Sequence, residues 1–182
     1  QDGLYQILPD KRVKRFTYDV NNRGSISSDI IWDIEEDNDG NMWFSTEMGL
    51  NRLLTYENDF TSYRNANTDE PKGLFTSETT QTLILDSSNN LWIGYFGKLS
   101  SCYLPTGRMT TFESKGSNSR IPNKQVLALH LDRRDKNVIW FSSFGTGIVR
   151  LHTMDKKFEI ISEENGLPGS QIYSIQTDRK GI

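Results

Sequence analysis

Two histidines, His130 and His152, are the only imidazoles in 182 residues, and neither has a second His or a Cys at ligand spacing. Zinc sites need three or four such ligands brought together, so both are expected to be structural. The run Asp37-Asn38-Asp39-Gly40-Asn41 opens like a calcium loop, yet Met48 stands where the bidentate glutamate belongs. It is expected to be a plain turn and to hold no metal. The acidic pairs Glu35-Glu36 and Glu163-Glu164 are adjacent in sequence. In a strand such neighbours point to opposite faces, so they suit solvent better than paired acid and base work. No Gly-x-Ser-x-Gly, phosphate-binding Gly-rich loop or Cys-x-x-Cys is present. No catalytic residue and no cofactor are therefore expected. The single cysteine, Cys102, excludes an internal disulfide and reads as a small apolar residue of a strand.

What the chain does repeat is a scaffold. Trp43, Trp92 and Trp140 are spaced by 49 and 48 residues. Ahead of them come Asp37, Asp86, Asp132 and Asp178, spaced by 49, 46 and 46. An apolar residue recurs in the same register at Ile26, Phe75, Ile121 and Leu167. Downstream, Phe60, Met109 and Phe158 are each followed three residues later by Tyr63, Phe112 or Ile161. The third copy departs once: Asp132 lies eight residues before Trp140, against six elsewhere, so its turn is longer by two.

A period of 40–50 residues built from short β-branched and aromatic segments, broken by turns every eight to twelve residues, is that of a β-propeller blade. The expected class is all-β: four-stranded antiparallel blades, about three complete, with partial blades at both ends. In the first full copy the strands are expected at Ile30–Glu35, Met42–Thr46, Leu50–Thr55 and Phe60–Arg64. Residues 1–25 form the back half of a blade, 26–74, 75–120 and 121–166 form blades, and 167–182 supply the first strand of a further one. A single blade cannot cover both of its faces, so neighbours must stack, with the repeated tryptophan at the seam. Open ends leave strand edges free, which predicts self-association through the first segment, Gly3–Tyr18, and the last, Gln171–Thr177.

The net charge of −3 argues against a nucleic-acid or anionic-membrane surface, and no apolar run of 18 residues exists for insertion into a membrane. Gln1 is not an initiator Met and no signal peptide is visible, so the chain reads as a piece of a longer protein.

Gly166-Leu167-Pro168 through Gly181, Leu91-Trp92-Ile93-Gly94, Gly49-Leu50-Asn51-Arg52 and the variant Gly147-Ile148-Val149-Arg150 together resemble the two-component regulator propeller repeat. The resemblance covers essentially the whole chain. It implies the periplasmic sensor region of a hybrid two-component system histidine kinase, whose kinase lies in a region outside these residues. It further implies sensing of glycan-derived oligosaccharides, with signalling by changed inter-domain packing. Two other readings stay open: a propeller scaffold for protein–protein contact or dimerisation without small-molecule binding, and a propeller lyase; a sensor of this kind is also expected to self-associate as a dimer. The lyase would need a His and metal cluster in its loops.

Ligands of propellers lie on the face made by blade connectors and second-to-third-strand loops. Here those are 20–29, 66–78, 114–124 and 162–170, with 46–49, 94–97 and 143–147. A sugar site favours aromatic platforms with amides and cations nearby. Tyr95, Phe96 and Phe144 are aromatics in such loops that the repeat does not require. Trp32 and Tyr173 occupy a first-strand position held elsewhere by Gln81 and Leu127. Arg23, Asn123 and Lys124 are placed to hold an acidic sugar.

Overall fold

Alternating apolar and polar residues form short strands because each strand buries one face and pairs through its backbone edges. The structure, a computed structural model, describes residues 2–54, 59–63, 79–113, 121 and 123–178. The chain divides into two units, 1–80 and 81–182.

The first unit holds a hairpin, β1 (Leu4–Ile7) and β2 (Val13–Phe16), and a four-stranded sheet, β3 (Ile31–Glu36), β4 (Met42–Thr46), β5 (Gly49–Leu53) and β6 (Phe60–Tyr63). Strands two and four fall within a residue of the expected bounds, and strand three starts one residue earlier and ends two sooner. The sheet is antiparallel in sequence order. Phe16 of the hairpin meets Phe60 edge-on at 5.2 Å, and Phe44, Leu53 and Ile26 complete the apolar layer.

The second unit holds two such sheets. One is β7 (Thr82–Leu85), β8 (Asn90–Gly94), β9 (Lys98–Tyr103) and β10 (Arg108–Glu113). The other is β11 (Val126–Leu131), β12 (Val138–Ser143), β13 (Gly147–His152) and β14 (Lys157–Ile161). A shared layer joins them, with Trp92 and Leu99 on one side and Val126, Ile139 and Phe141 on the other. Phe112 meets Phe158 edge-on at 5.9 Å. By the repeat register this is the same contact as Phe16 on Phe60, formed independently in the other unit. All-β sheets stacked in this way are propeller blades.

Each of the three repeated tryptophans bonds to the repeated aspartate of its own copy. Trp43 Nε1 donates to Asp37 at 2.8 Å, Trp92 Nε1 to Asp86 at 2.9 Å, and Trp140 Nε1 to Asp132 at 2.8 Å. The turn longer by two in the third copy keeps this bond. The repeated aspartate is thus a turn-former that also anchors the indole, and the acidic run at residue 37 is that turn.

Glu163 and Glu164 lie in a 3-10 turn, Glu163–Asn165, within the expected connector and exposed; the Ser162 N–H donates to Asn165 Oδ1, and Gly166 closes the turn at φ 97°. One expectation is not met. Residues 171–178, read as a first strand, form no ladder among the described residues, because no second strand lies beside them. They are fastened instead by a His130 Nε2 to Thr177 Oγ1 bond of 3.1 Å and by Arg133 Nη1 donating to the Asp178 carbonyl at 3.0 Å.

Candidate functional site

The loop end of the second unit is built by backbone pairing between segments far apart in sequence. Tyr95 accepts from the Val126 N–H at 3.0 Å, the Gly97 N–H donates to the Lys124 carbonyl at 2.8 Å, and Phe96 bridges Gln125. The Phe144 N–H then donates to the Gln125 carbonyl at 2.9 Å. Gln125 therefore joins loop 95–97 to loop 144–147, and its side-chain amide also donates to Gln81 Oε1. Gly97 sits at φ 65°, and a Cβ there would lie 2.7 Å from Asn123 Oδ1. Glycine takes this left-handed conformation without strain and leaves room for the Asn123 amide beside the loop.

This arrangement brings Phe96, Asn123, Lys124 and Phe144 onto one loop end. Phe96 is 63% exposed and Phe144 39% exposed, while Asn123 and Lys124 are exposed on the connector. Tyr95 is different: it is 1% exposed and packs inside the unit, so it offers no platform. Its neighbour Phe96 presents the ring because consecutive residues alternate faces. Tyr173 is 68% exposed, with its hydroxyl 3.4 Å from Gln171 Oε1.

Trp32 and Arg23 belong to the first unit. Trp32 is 48% exposed and falls at a register shift between Ile31 and Asp33, where β3 carries an extra residue against β4. Leu127, at the same repeat position, falls at the matching shift between Val126 and Ala128. A bulge re-aims the side chain it carries, and this one turns a tryptophan outward in one copy and a leucine in another. Arg23 is exposed, and no hydrogen bond or ring contact joins it to Trp32 among the described residues. Connectors 66–78 and most of 114–122 lie outside the described residues.

The sequence reading passed over Gln81 and Gln125, the pair that ties the loops together. The available signal is the variation of the repeat at the Gln81 position, which holds Trp32, Gln81, Leu127 and Tyr173. The sequence reading also missed a buried network in the first unit. Asn51 Nδ2 donates to Ser27 Oγ at 2.7 Å, Ser62 Oγ donates to Asn51 Oδ1 at 2.8 Å, and Thr46 Oγ1 donates to the Gly49 carbonyl at 2.7 Å. Such fully paired polar groups stiffen the loop end on which Trp32 sits.

Burial would raise the Asp37 carboxyl, but hydrogen bonds from Trp43, Asn41 and Asp39 outweigh it and hold it below the ordinary aspartate value. Asp132 is lowered in the same way, against burial, by Trp140 and two turn N–H groups. Burial pushes the Cys102 thiol up to about 11, which leaves it unreactive. Burial lowers His130, and Asp132 partly opposes this. No group of three or more metal-ligating side chains occurs among the described residues. No helix of the described residues is long and apolar enough to cross a membrane.

Residues 25–48 match the family model described as "Two component regulator propeller". The chain is 25% identical over 158 residues to Histidine kinase P4 of Formosa agariphila, covering 85% of this chain and 11% of that protein. It superposes on the extracellular domain of a proposed hybrid two component system from B. thetaiotaomicron with TM-score 0.76 and 19% identity, over 99% of this chain and 23% of that one. Virginiamycin B lyase from Staphylococcus aureus superposes with TM-score 0.65 and 16% identity, over 93% of this chain and 51% of that one. At such identities the two structures establish the fold alone. The chain spans about a tenth of the kinase and a quarter of the B. thetaiotaomicron domain.

Proposed function

We propose that this chain, which carries the two component regulator propeller repeat, is a periplasmic sensor segment of a hybrid two-component histidine kinase. Its ligand is a glycan-derived oligosaccharide held on the loop end of the second unit. One observation carries the reading: backbone bonds through Gln125 hold two exposed rings, Phe96 and Phe144, on the same loop end as the Asn123 amide and the Lys124 ammonium. Rings supply stacking for sugar C–H faces, and amides and cations supply hydrogen bonds to hydroxyls. Signalling follows if the ligand binds one arrangement of neighbouring domains better than another. Kinase chemistry belongs to the rest of the parent protein.

Titration calorimetry of the 182-residue chain against a panel of neutral and acidic oligosaccharides tests this. At least one is expected to bind, and Phe96→Ala with Phe144→Ala to weaken it about tenfold or more, near the range for losing stacked aromatic anchors. Absence of heat from the whole panel would sink it.

One observation favours a second reading, a scaffold for protein contact. In the β1–β2 hairpin Tyr5, Ile7 and Val13 share a face by register and are all exposed. A stable dimer together with a silent sugar panel would favour that reading. The lyase reading lacks support, since His130 is bonded to Thr177 and His152 closes a strand.

A further inference from the structure

At the opposite end of the second unit, between the turns of its two sheets, lies a groove of about 410 Å³. Its wall includes the Trp92 and Phe112 rings, stacked at 6.2 Å. Three cations border it, Arg108, Lys136 and Lys156, and none forms an ion pair or hydrogen bond among the described residues. The one carboxylate in the lining, Asp86, is already occupied by Trp92, Asn90 and the Ser88 N–H.

Two of these cations stand at repeat positions that are basic in other copies as well: Arg108 aligns with Arg12, Asp59 and Lys157, and Lys156 aligns with Lys11, Asn58 and Gly107. Lys136 is carried by the turn that is longer by two in the third copy, and the Thr153 N–H ties that turn to the next one through the Asn137 carbonyl at 2.8 Å. Lys156 has φ 56°, a left-handed conformation that its counterpart Gly107 adopts at φ 68°. Lys11 of the first hairpin, at the same repeat position, adopts it at φ 68°, so this turn accepts either residue, and in the third copy it carries an ammonium at the rim.

We infer that this groove binds an acidic saccharide, its carboxylate or sulfate ester held by Arg108, Lys136 and Lys156 and its hydroxyls by the neighbouring polar groups. Unpaired cations around a polar, partly aromatic groove suit a charged and hydroxylated ligand better than a neutral one. The inference does not rest on the loop-end site.

The probes are trigalacturonate, galactose 6-sulfate, maltotriose and inorganic phosphate, titrated into the full chain at low salt and at about 0.2 M salt. One of the two acidic saccharides is expected to bind, more weakly at the higher salt, while maltotriose does not compete for the groove. Lys156→Gly and Arg108→Ala should each weaken it about tenfold or more. Phe96→Ala with Phe144→Ala should leave it unchanged, which separates this groove from the loop end. Lys156→Gly removes the ammonium while easing the backbone, so it should fold at least as well as the parent. The inference is overturned if neither acidic saccharide binds, if both cation variants bind as tightly as the parent, or if inorganic phosphate alone binds as tightly as either saccharide.

Discussion

Trp92 is 4% exposed, its N–H is used by Asp86, and its ring lies in the layer shared by the two sheets of the second unit. Burying a tryptophan removes roughly 150–250 Å² from water, or about 4–6 kcal/mol gross at about 25 cal/mol per Å². Trp92→Ala is therefore expected to cost about 3–5 kcal/mol, read as a lower urea midpoint. Asp37 tests the other half of the device. Its carboxylate accepts from the Asp39 and Asn41 N–H groups, the Asn41 amide and the indole. Because the folded state depresses its pKa, its contribution is present above the ordinary aspartate value and is lost as pH falls through the folded value. Asp37→Asn should cost about 1–3 kcal/mol at neutral pH and flatten the stability loss in acid, measured by urea unfolding near neutrality and near pH 3. The recurrence of Asp and Trp was legible in the sequence because a fixed spacing exposes it. That the two bond to each other was not, since spacing alone does not say which way a turn folds back.

Strands were legible where a short aromatic and β-branched run follows turn residues, as in Met42–Thr46 after Asp37–Asn41, whose bounds match. Ladder membership was not legible for residues 171–178, because a strand is defined by a partner and sequence gives only propensity. Bulges at Trp32 and Leu127 were likewise hidden, since an extra residue in a short strand barely disturbs its pattern. Close approach between sheets centres on Gly94 at the end of β8. A Cβ there would lie 2.7 Å from Thr82 Cγ2 and 2.8 Å from Val126 Cγ1 of the next sheet. Gly94→Ala should destabilise by about 1–3 kcal/mol through overpacking, seen as a lower thermal midpoint with the strand content retained.

The same ring-on-ring seam contact occurs in each unit: Phe16 on Phe60 and Phe112 on Phe158. Repeats that cover one another in this way make stability additive along the array. They also leave the loop ends free to vary, and there the reading from sequence was partial. Phe96 and Phe144 were recognisable as aromatics that the repeat does not need. Tyr95, chosen on the same ground, proved to be core, because one residue of shift in an extended segment reverses the face. Gln81 and Gln125 could not be paired from sequence, since they lie 44 residues apart. The proposed sensor role depends on ligand contact at this loop end. Hydrogen exchange of the 182-residue chain with and without a neutral oligosaccharide that titrates, and whose binding Phe96→Ala with Phe144→Ala weakens, is its most direct test. Slower exchange confined to 95–97, 123–126 and 144–147 is the predicted result; unchanged exchange there, with protection on the β1–β2 hairpin instead, would contradict it.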